Sequence, residues 1–226
     1  MPGPAWAGMF AGMTTNAEYR EVYRREHIGA YYSGKAHLAF AVLFSLGGIV
    51  ACAMQLEQVQ PLEWLVLPLA FLYANLVEYA GHRWVMHRKV RGLEIVYKRH
   101  AGQHHRFFTD RHMALEGWRD CKAVLFPAVL MVFYFGAFAV PLGLLLAWLS
   151  TANVAYLFVI VALAYYLNYE LLHLAYHLPK ESAVLNLPFV RRLRRLHHRH
   201  HEPALMAHAN FNITYPIGDW LFGTRR

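Results

Sequence analysis

Apolar residues in this chain run in long blocks, not at alternating or amphipathic spacing. Leu38 to Met54 contains no charged residue, and Leu62 to Val77 is broken only by Glu63 near its start. From Ala123 to Tyr169 there are 47 consecutive uncharged residues. A helix needs about 20 predominantly apolar residues to cross a bilayer. The first two blocks therefore suffice for one crossing each and the third for two, joined near Ser150 to Asn153. The pattern predicts four spans, at about 37–54, 62–80, 123–148 and 153–172, arranged as two hairpins. Pro127 and Pro141 lie inside the third block, where proline kinks or breaks a helix, so an interrupted or re-entrant path is the alternative there.

The polar stretches between the blocks fix which ends belong together. Of the 22 Lys and Arg residues, four precede the first span, ten lie from Arg83 to Lys122, and eight follow the fourth span. The turns on the other side, Gln55 to Pro61 and Ser150 to Asn153, have none. The positive-inside rule then places both termini and the middle loop in the cytoplasm. Met1 to Gly12 has no basic stretch ahead of an apolar core and is not expected to be a cleaved signal peptide. Glu18 to Lys35, polar, basic and tyrosine-rich, is expected to form a solvated surface helix.

Composition agrees with this pattern. At 226 residues with 57% hydrophobic and 16% charged content, the chain is expected to be a single domain, 1–226, more apolar than the roughly 45–50% usual for soluble proteins. The net charge of +8 raises nucleic acid as a partner. The basic residues flank apolar blocks and are not interleaved with aromatics along one face, so no nucleic-acid partner is expected. Cys52 and Cys121 are far apart, with no second thiol near either, and read as spectators.

The histidines change the picture. Eleven of the fifteen fall in four clusters within 82–105 and 173–208: His82 and His87; His100, His104 and His105; His173 and His177; and His197, His198, His200 and His201. Every cluster borders a span end on the basic side. On a regular helix His173 and His177 share a face, as do His100 and His104, with His105 swung aside. His197, His200 and His201 also share a face, and His198 is turned about 100° from His197, which makes it the weaker candidate. His82 and His87 lie about 140° apart, so they flank two metals or the helix unwinds between them. A lone histidine at an interface is ordinarily a polar anchor, and His27, His37 and His112 are read that way.

Neutral imidazole suits iron, copper or zinc, each taking four to six donors with a position open for substrate. Ten ring nitrogens match two metals. A single iron held by two histidines and a carboxylate would leave most of the set without a role. Metal-bound imidazoles need orienting partners on their other nitrogen, and Glu78, Glu170, Asp110, Asp120 and Glu202 are the carboxylates near the clusters. His208 is a further candidate donor.

The set HxxxxH (His82, His87), HxxxHH (His100, His104, His105), HxxxH (His173, His177) and HxxHH (His197, His200, His201) resembles the fatty acid hydroxylase and sterol desaturase superfamily of membrane di-iron enzymes. EYAGHRWVMH is similar to fatty acid 2-hydroxylases, and Asn210 to Thr224, NFNITYPIGDWLFGT, resembles the tail common in that superfamily. The likeness covers roughly Leu62 to Thr224. Gln103, the spacing of the second box, the extra His198 and the lack of a proline-rich stretch after HHRFF depart from the family pattern. The resemblance implies an all-α integral membrane protein, four transmembrane helices with a cytoplasmic helical cap over a di-metal site. It also implies those ten histidines as ligands of two Fe ions, with Zn substituting after overexpression, O2 as co-substrate and a lipid substrate. The stretch before the first span leaves no room for a fused cytochrome b5 domain, so electrons are expected from a separate carrier, a ferredoxin or cytochrome. A desaturase or carotenoid-type ring hydroxylase would share the site, and a metal transporter or store is the reading from another class.

Overall fold

A computed structural model describes residues 15–226. The expectation that Met1 to Gly12 is not a signal peptide lies outside the described residues. Helices make up the framework: α1 (Asn16–His27), α2 (Gly34–Ala53), α3 (Val66–Gly81), α4 (Glu94–Arg99), α5 (His105–Phe107), α6 (Cys121–Val124), α7 (Ala128–Tyr134), α8 (Val140–Leu149), α9 (Ala152–Tyr176), α10 (Pro188–His200) and α11 (Ile217–Leu221). Among the described residues there is no strand, only an isolated bridge between Thr109 and His112. Several helices start where the chain supplies a hydroxyl cap. Ser33 accepts from the Ala36 amide and Thr151 from the Val154 amide, satisfying donors that a helix start leaves open.

Four helical stretches are long and apolar enough to cross a bilayer: Gly34–Ala53, Glu63–Met86, Trp118–Leu149 and Ala152–Tyr176. Their outward faces carry Leu43, Val50, Leu69, Leu144, Trp148 and Leu149, all exposed. A continuous apolar surface of that kind is incompatible with water and suits lipid. The chain is a multi-pass membrane protein. Helix α9 is the hub and packs against α2, α3 and α8. Gly48 makes one of these contacts close, since a Cβ there would stand 2.7 Å from the Leu163 side chain. At the end away from the histidines the two lysine-free turns are tied together. Glu63 accepts from the Thr151 hydroxyl and from Asn153 Nδ2 at 3.0 Å, and Asn153 also donates to the Glu57 carbonyl at 2.7 Å.

The third span is interrupted. Helix α6 ends at Val124, residues 125–127 are extended, and helix resumes at Ala128. Pro127 disfavours helical geometry at Phe126. The freed Phe126 backbone is satisfied from neighbouring spans: its amide donates to both Glu170 oxygens at 3.3 Å, and its carbonyl accepts from His37 Nε2 at 2.9 Å. Such satisfaction is what allows irregular backbone at this depth. A π-turn at Phe135–Ala139 precedes Pro141 and absorbs its missing donor.

Helix α1 corrects the expectation for Glu18 to Lys35. It is not a solvated helix: Tyr19, Arg20 and Tyr23 are buried against the cap. Tyr23 meets Phe107 edge-on at 5.1 Å, and Arg20 and Arg24 converge on the buried Asp120. The i, i+4 pairs 19/23 and 20/24 put the aromatics and the arginines on one side, so the helix has a face to bury.

Candidate metal centre

Four segments bring the clustered histidines together. Helix α3 runs into a π-turn at His82–Met86, and α4 into a second π-turn at His100–His104. A π-turn closes i to i+5, so it stacks residues five apart on one face. His82 and His87 therefore point together, and so do His100 and His105. The end of α9 supplies His173 and His177, and the end of α10 supplies His197, His200 and His201.

The ten side chains form two adjoining groups. One comprises His82, His87, His100, His105 and His200; the other comprises His104, His177, His197 and His201; within each group the ligand nitrogens lie within 4.8 Å of one another. His173 lines the second group, its Nε2 3.3 Å from that of His104. The groups abut where the His105 and His201 rings stand 4.2 Å apart. All ten are buried except His87, which is half-buried.

This grouping corrects the helical-face reading at two points. His100 pairs with His105 and not with His104, which crosses to the other group, and His200 parts from His197 and His201. Of the two alternatives for His82 and His87, the helix unwinds between them as a π-turn, and both serve one group. Of the weaker candidates, His198 is half-buried and His208 exposed, and neither belongs to a group. His112 is exposed, and His37 bonds Tyr32 and the Phe126 carbonyl.

The orienting partners are not carboxylates, a second correction. His82 Nδ1 donates to the Phe211 carbonyl, and His200 Nδ1 to the Ala209 carbonyl at 2.8 Å. His104 Nδ1 donates to Ala123 at 2.8 Å, His177 Nδ1 to Met113 at 2.8 Å and His201 Nδ1 to Phe108 at 2.6 Å. Among the described residues no carboxylate bonds a ring of the ten. Glu78 instead accepts from the amides of Ile213 at 2.5 Å and Thr214 at 3.0 Å. Glu170 serves Phe126, and Asp120 serves Arg20, Arg24 and the Glu116 amide. Asp110 and Glu202 are half-buried outside the groups.

These bonds decide the tautomer. A carbonyl only accepts, so Nδ1 carries the proton and a neutral ring presents its Nε2 lone pair. Those Nε2 atoms crowd together, His82 to His100 at 2.8 Å, His87 to His82 at 3.2 Å and to His200 at 3.0 Å, and His105 to His100 at 3.0 Å. In the second group the separations are 3.0 Å for His177 to His197, 3.1 Å for His201 to His197 and 3.2 Å for His104 to His201. In the last pair both rings are fixed as Nδ1–H, leaving no proton to share, and two bare lone pairs at that distance repel. A cation between them turns repulsion into coordination. Ligands about 2.1 Å from one ion at right angles stand about 3.0 Å apart, a spacing these groups already hold. Metal fits both positions.

Electrostatics favour the same state. Burial, the largest cause, holds the cap imidazoles well below the ordinary histidine range. His87 is pushed down to about 2, with His200 and His104 adding to the effect, His104 to about 3 and His200 to about 4. His100, His105, His177, His197 and His201 are likewise held well below that range, chiefly by burial. All are neutral at pH 7, the form that binds metal.

A helical multi-pass fold enclosing buried histidine groups of this spacing defines a membrane metalloprotein with its centre at one end of the spans. The sequence profile of the fatty acid hydroxylase family matches residues 67–224, and the chain belongs to that family. A solved structure described as full-length scs7p, with only its hydroxylase domain visible, superposes with a TM-score of 0.59 at 20% identity. The match covers 83% of this chain and 64% of that one, so the chain spans less than two thirds of its length. No curated protein matches the sequence.

Sequence reasoning missed the tail's internal frame. Asp219 accepts from the amides of Phe211 at 2.9 Å and Asn212 at 2.8 Å and from the Thr224 hydroxyl at 2.6 Å. Asn75, within the second span, accepts from the Gly218 amide and donates to the Tyr215 carbonyl. Gly218 sits so close to Tyr79 that a Cβ would approach within 2.8 Å. The signal in the sequence was the pair of polar side chains, Asn75 and Glu78, inside an apolar helix.

Proposed function

We propose that the protein is an O2-dependent di-iron oxidoreductase that hydroxylates a C–H bond of a lipid. The observation that carries this reading is the pair of adjoining groups of buried Nε2 atoms spaced about 3.0 Å apart, as ligands at right angles around one ion would be. His82, His87, His100, His105 and His200 would hold one metal, and His104, His173, His177, His197 and His201 the other. Iron is the expected occupant in active protein, with zinc substituting after overexpression. Bound iron supplies the activation of O2 and the removal of hydrogen from an unactivated carbon.

The chain's own residues supply the rest. The carbonyl-bonded Nδ1 atoms of His82, His104, His177, His200 and His201 hold those five rings in their donor orientation, which gives a site pre-set for its ions. The break in the third span borders a crevice lined by Leu125, Phe126, Leu130 and Tyr169 together with Arg99, His100, His104 and His173. The crevice has a volume of about 30 Å³, so an acyl chain or related lipid entering from the bilayer would have to part these side chains, which would then exclude water from the metal centre. Electrons come from a separate acidic carrier, a ferredoxin or soluble cytochrome, and the Lys and Arg distribution favours a cytoplasmic metal centre with both termini on the same side.

A metal transporter or store would need unclaimed ligands along the spans. Glu78 and Asn75 are committed to the tail, and Glu170 to Phe126. The test is lipid extraction from cells with and without the protein, followed by mass spectrometry. A lipid gaining one oxygen atom is expected. Loss of two hydrogens would select a desaturase instead, and an unchanged lipid profile in cells supplied with iron and reductant would overturn the enzymatic reading.

A further inference from the structure

The carbonyls that orient the histidines divide along the same line as the two groups. In the first group, the two carbonyl-bonded rings, His82 and His200, both use the tail segment 209–211. In the second, the three carbonyl-bonded rings, His104, His177 and His201, all use the segment 108–123. Neither segment serves the other group.

One buried aspartate is bonded into each segment, Asp219 at Phe211 and Asp120 at Glu116. Asp219, fully buried, gathers the Phe211 and Asn212 amides and the Thr224 hydroxyl. The Phe211 residue that donates to Asp219 is the one whose carbonyl receives His82. Asp120, also buried, accepts from the Glu116 amide at 2.9 Å and from Arg24 Nε and Nη2 at 2.9 Å each, while Arg20 donates to it at 3.4 Å and to the Ala114 carbonyl at 2.9 Å. Ala114 adjoins Met113, whose carbonyl receives His177, and the Leu115 amide donates to the His177 carbonyl at 2.8 Å.

We infer that Asp219 and Asp120 are positioning residues for separate metal positions, Asp219 for the group of His82 and His200, and Asp120, through Arg20 and Arg24 of helix α1, for the group of His104, His177 and His201. The two aspartates therefore tune the two positions separately, although helix α1 also bonds the stretch that carries His100 and His105, through Tyr19 Oη to the Gly102 carbonyl at 3.3 Å and Asn16 Nδ2 to the Arg106 carbonyl at 2.7 Å. This rests on the two-metal reading above. Losing an outer partner of a ligating histidine lowers metal affinity by about ten- to a hundred-fold, and these aspartates act one bond further out through the carbonyl segment.

The test is a double-variant cycle read by metal retained per folded chain during chelator titration. Asp219→Asn added to His177→Ala, where only the first group is complete, is expected to lower retention of the remaining metal about ten-fold or more. Added to His200→Ala, where that group is already broken, it is expected to change retention by less than about two-fold. Asp120→Asn is expected to show the opposite pairing. Arg24→Gln and Thr224→Val, each removing part of one aspartate's bonding, give the same pattern more weakly and serve if the aspartate variants do not fold. Amide hydrogen exchange gives a readout independent of metal. Asp219→Asn should speed exchange at Phe211 and Asn212 and leave Leu115 unchanged. Equal loss from both groups in either variant, or faster exchange at both segments, overturns the inference. Wild-type protein that never holds two metals refutes the two-metal reading, and the exchange pattern still decides the partition between segments.

Discussion

Acid should destabilise the metal-free protein steeply, and the size of the effect follows from the buried imidazoles. An unfolded chain titrates histidine near 6.5, whereas the folded chain holds His200 near 4, His104 near 3 and His87 near 2, chiefly by burial. The folded values are depressed, so the unfolded state binds more protons and stability rises with pH. The contribution is fully present above about 6.5 and is lost as pH falls towards each folded value. Between pH 8 and pH 5 each group withdraws about 2 kcal/mol, roughly 6 kcal/mol for the three, as much as the whole stability of many domains. The assay is thermal unfolding of chelator-treated protein in detergent from pH 8 to 5, followed by tryptophan fluorescence. A large fall in midpoint is expected, and bound metal should delay it because protons must then displace the ion. A midpoint flat across this range would refute the burial of neutral imidazoles.

Two further outcomes are expected. Purified protein should hold about two metals per chain; His200→Ala or His173→Ala should lower that content and abolish activity, whereas exposed His112→Ala should do neither, and equal tolerance at all three would return the histidines to a structural role. Charge reversal of Arg191 and Arg192, both exposed on α10, should slow reduction by an acidic carrier in lipid-free detergent and weaken its salt dependence; unaffected reduction with weaker membrane binding would assign these arginines to anionic headgroups.

The spans were legible because a charge-free block of helical length is too apolar to face water along its whole surface and finds its partner in lipid. Pro127 marked the break in the third span through its local effect on the backbone before it. The gathering of the histidines at one end followed from their positions beside span ends. Their full grouping did not: regular α-helical angles left 82–87 open between two alternatives and mispaired His100 with His104, because a π-turn is announced by no side chain. The orienting partners were illegible for a deeper reason: carbonyls occur at every residue, so Phe108, Met113, Ala123, Ala209 and Phe211 carry no mark of their role. Helix α1 was misread on its overall polarity, although Tyr19 and Tyr23 with Arg20 and Arg24 already outlined a face with something to bury.

Each histidine group draws on distant parts of the chain. His82 meets His200 in one, and His104 meets His201 in the other. The shortest fragments that contain the sets run from His82 to His200 and from His104 to His201, and during synthesis the early histidines must wait in or beside the membrane for partners made about a hundred positions later. The first position has four of its five histidines by residue 105, whereas the second has only His104 before α9. Only when α9 and α10 have joined α3 and the segment 100–105 are both groups complete, so the full pair of positions exists only in a chain folded along its length.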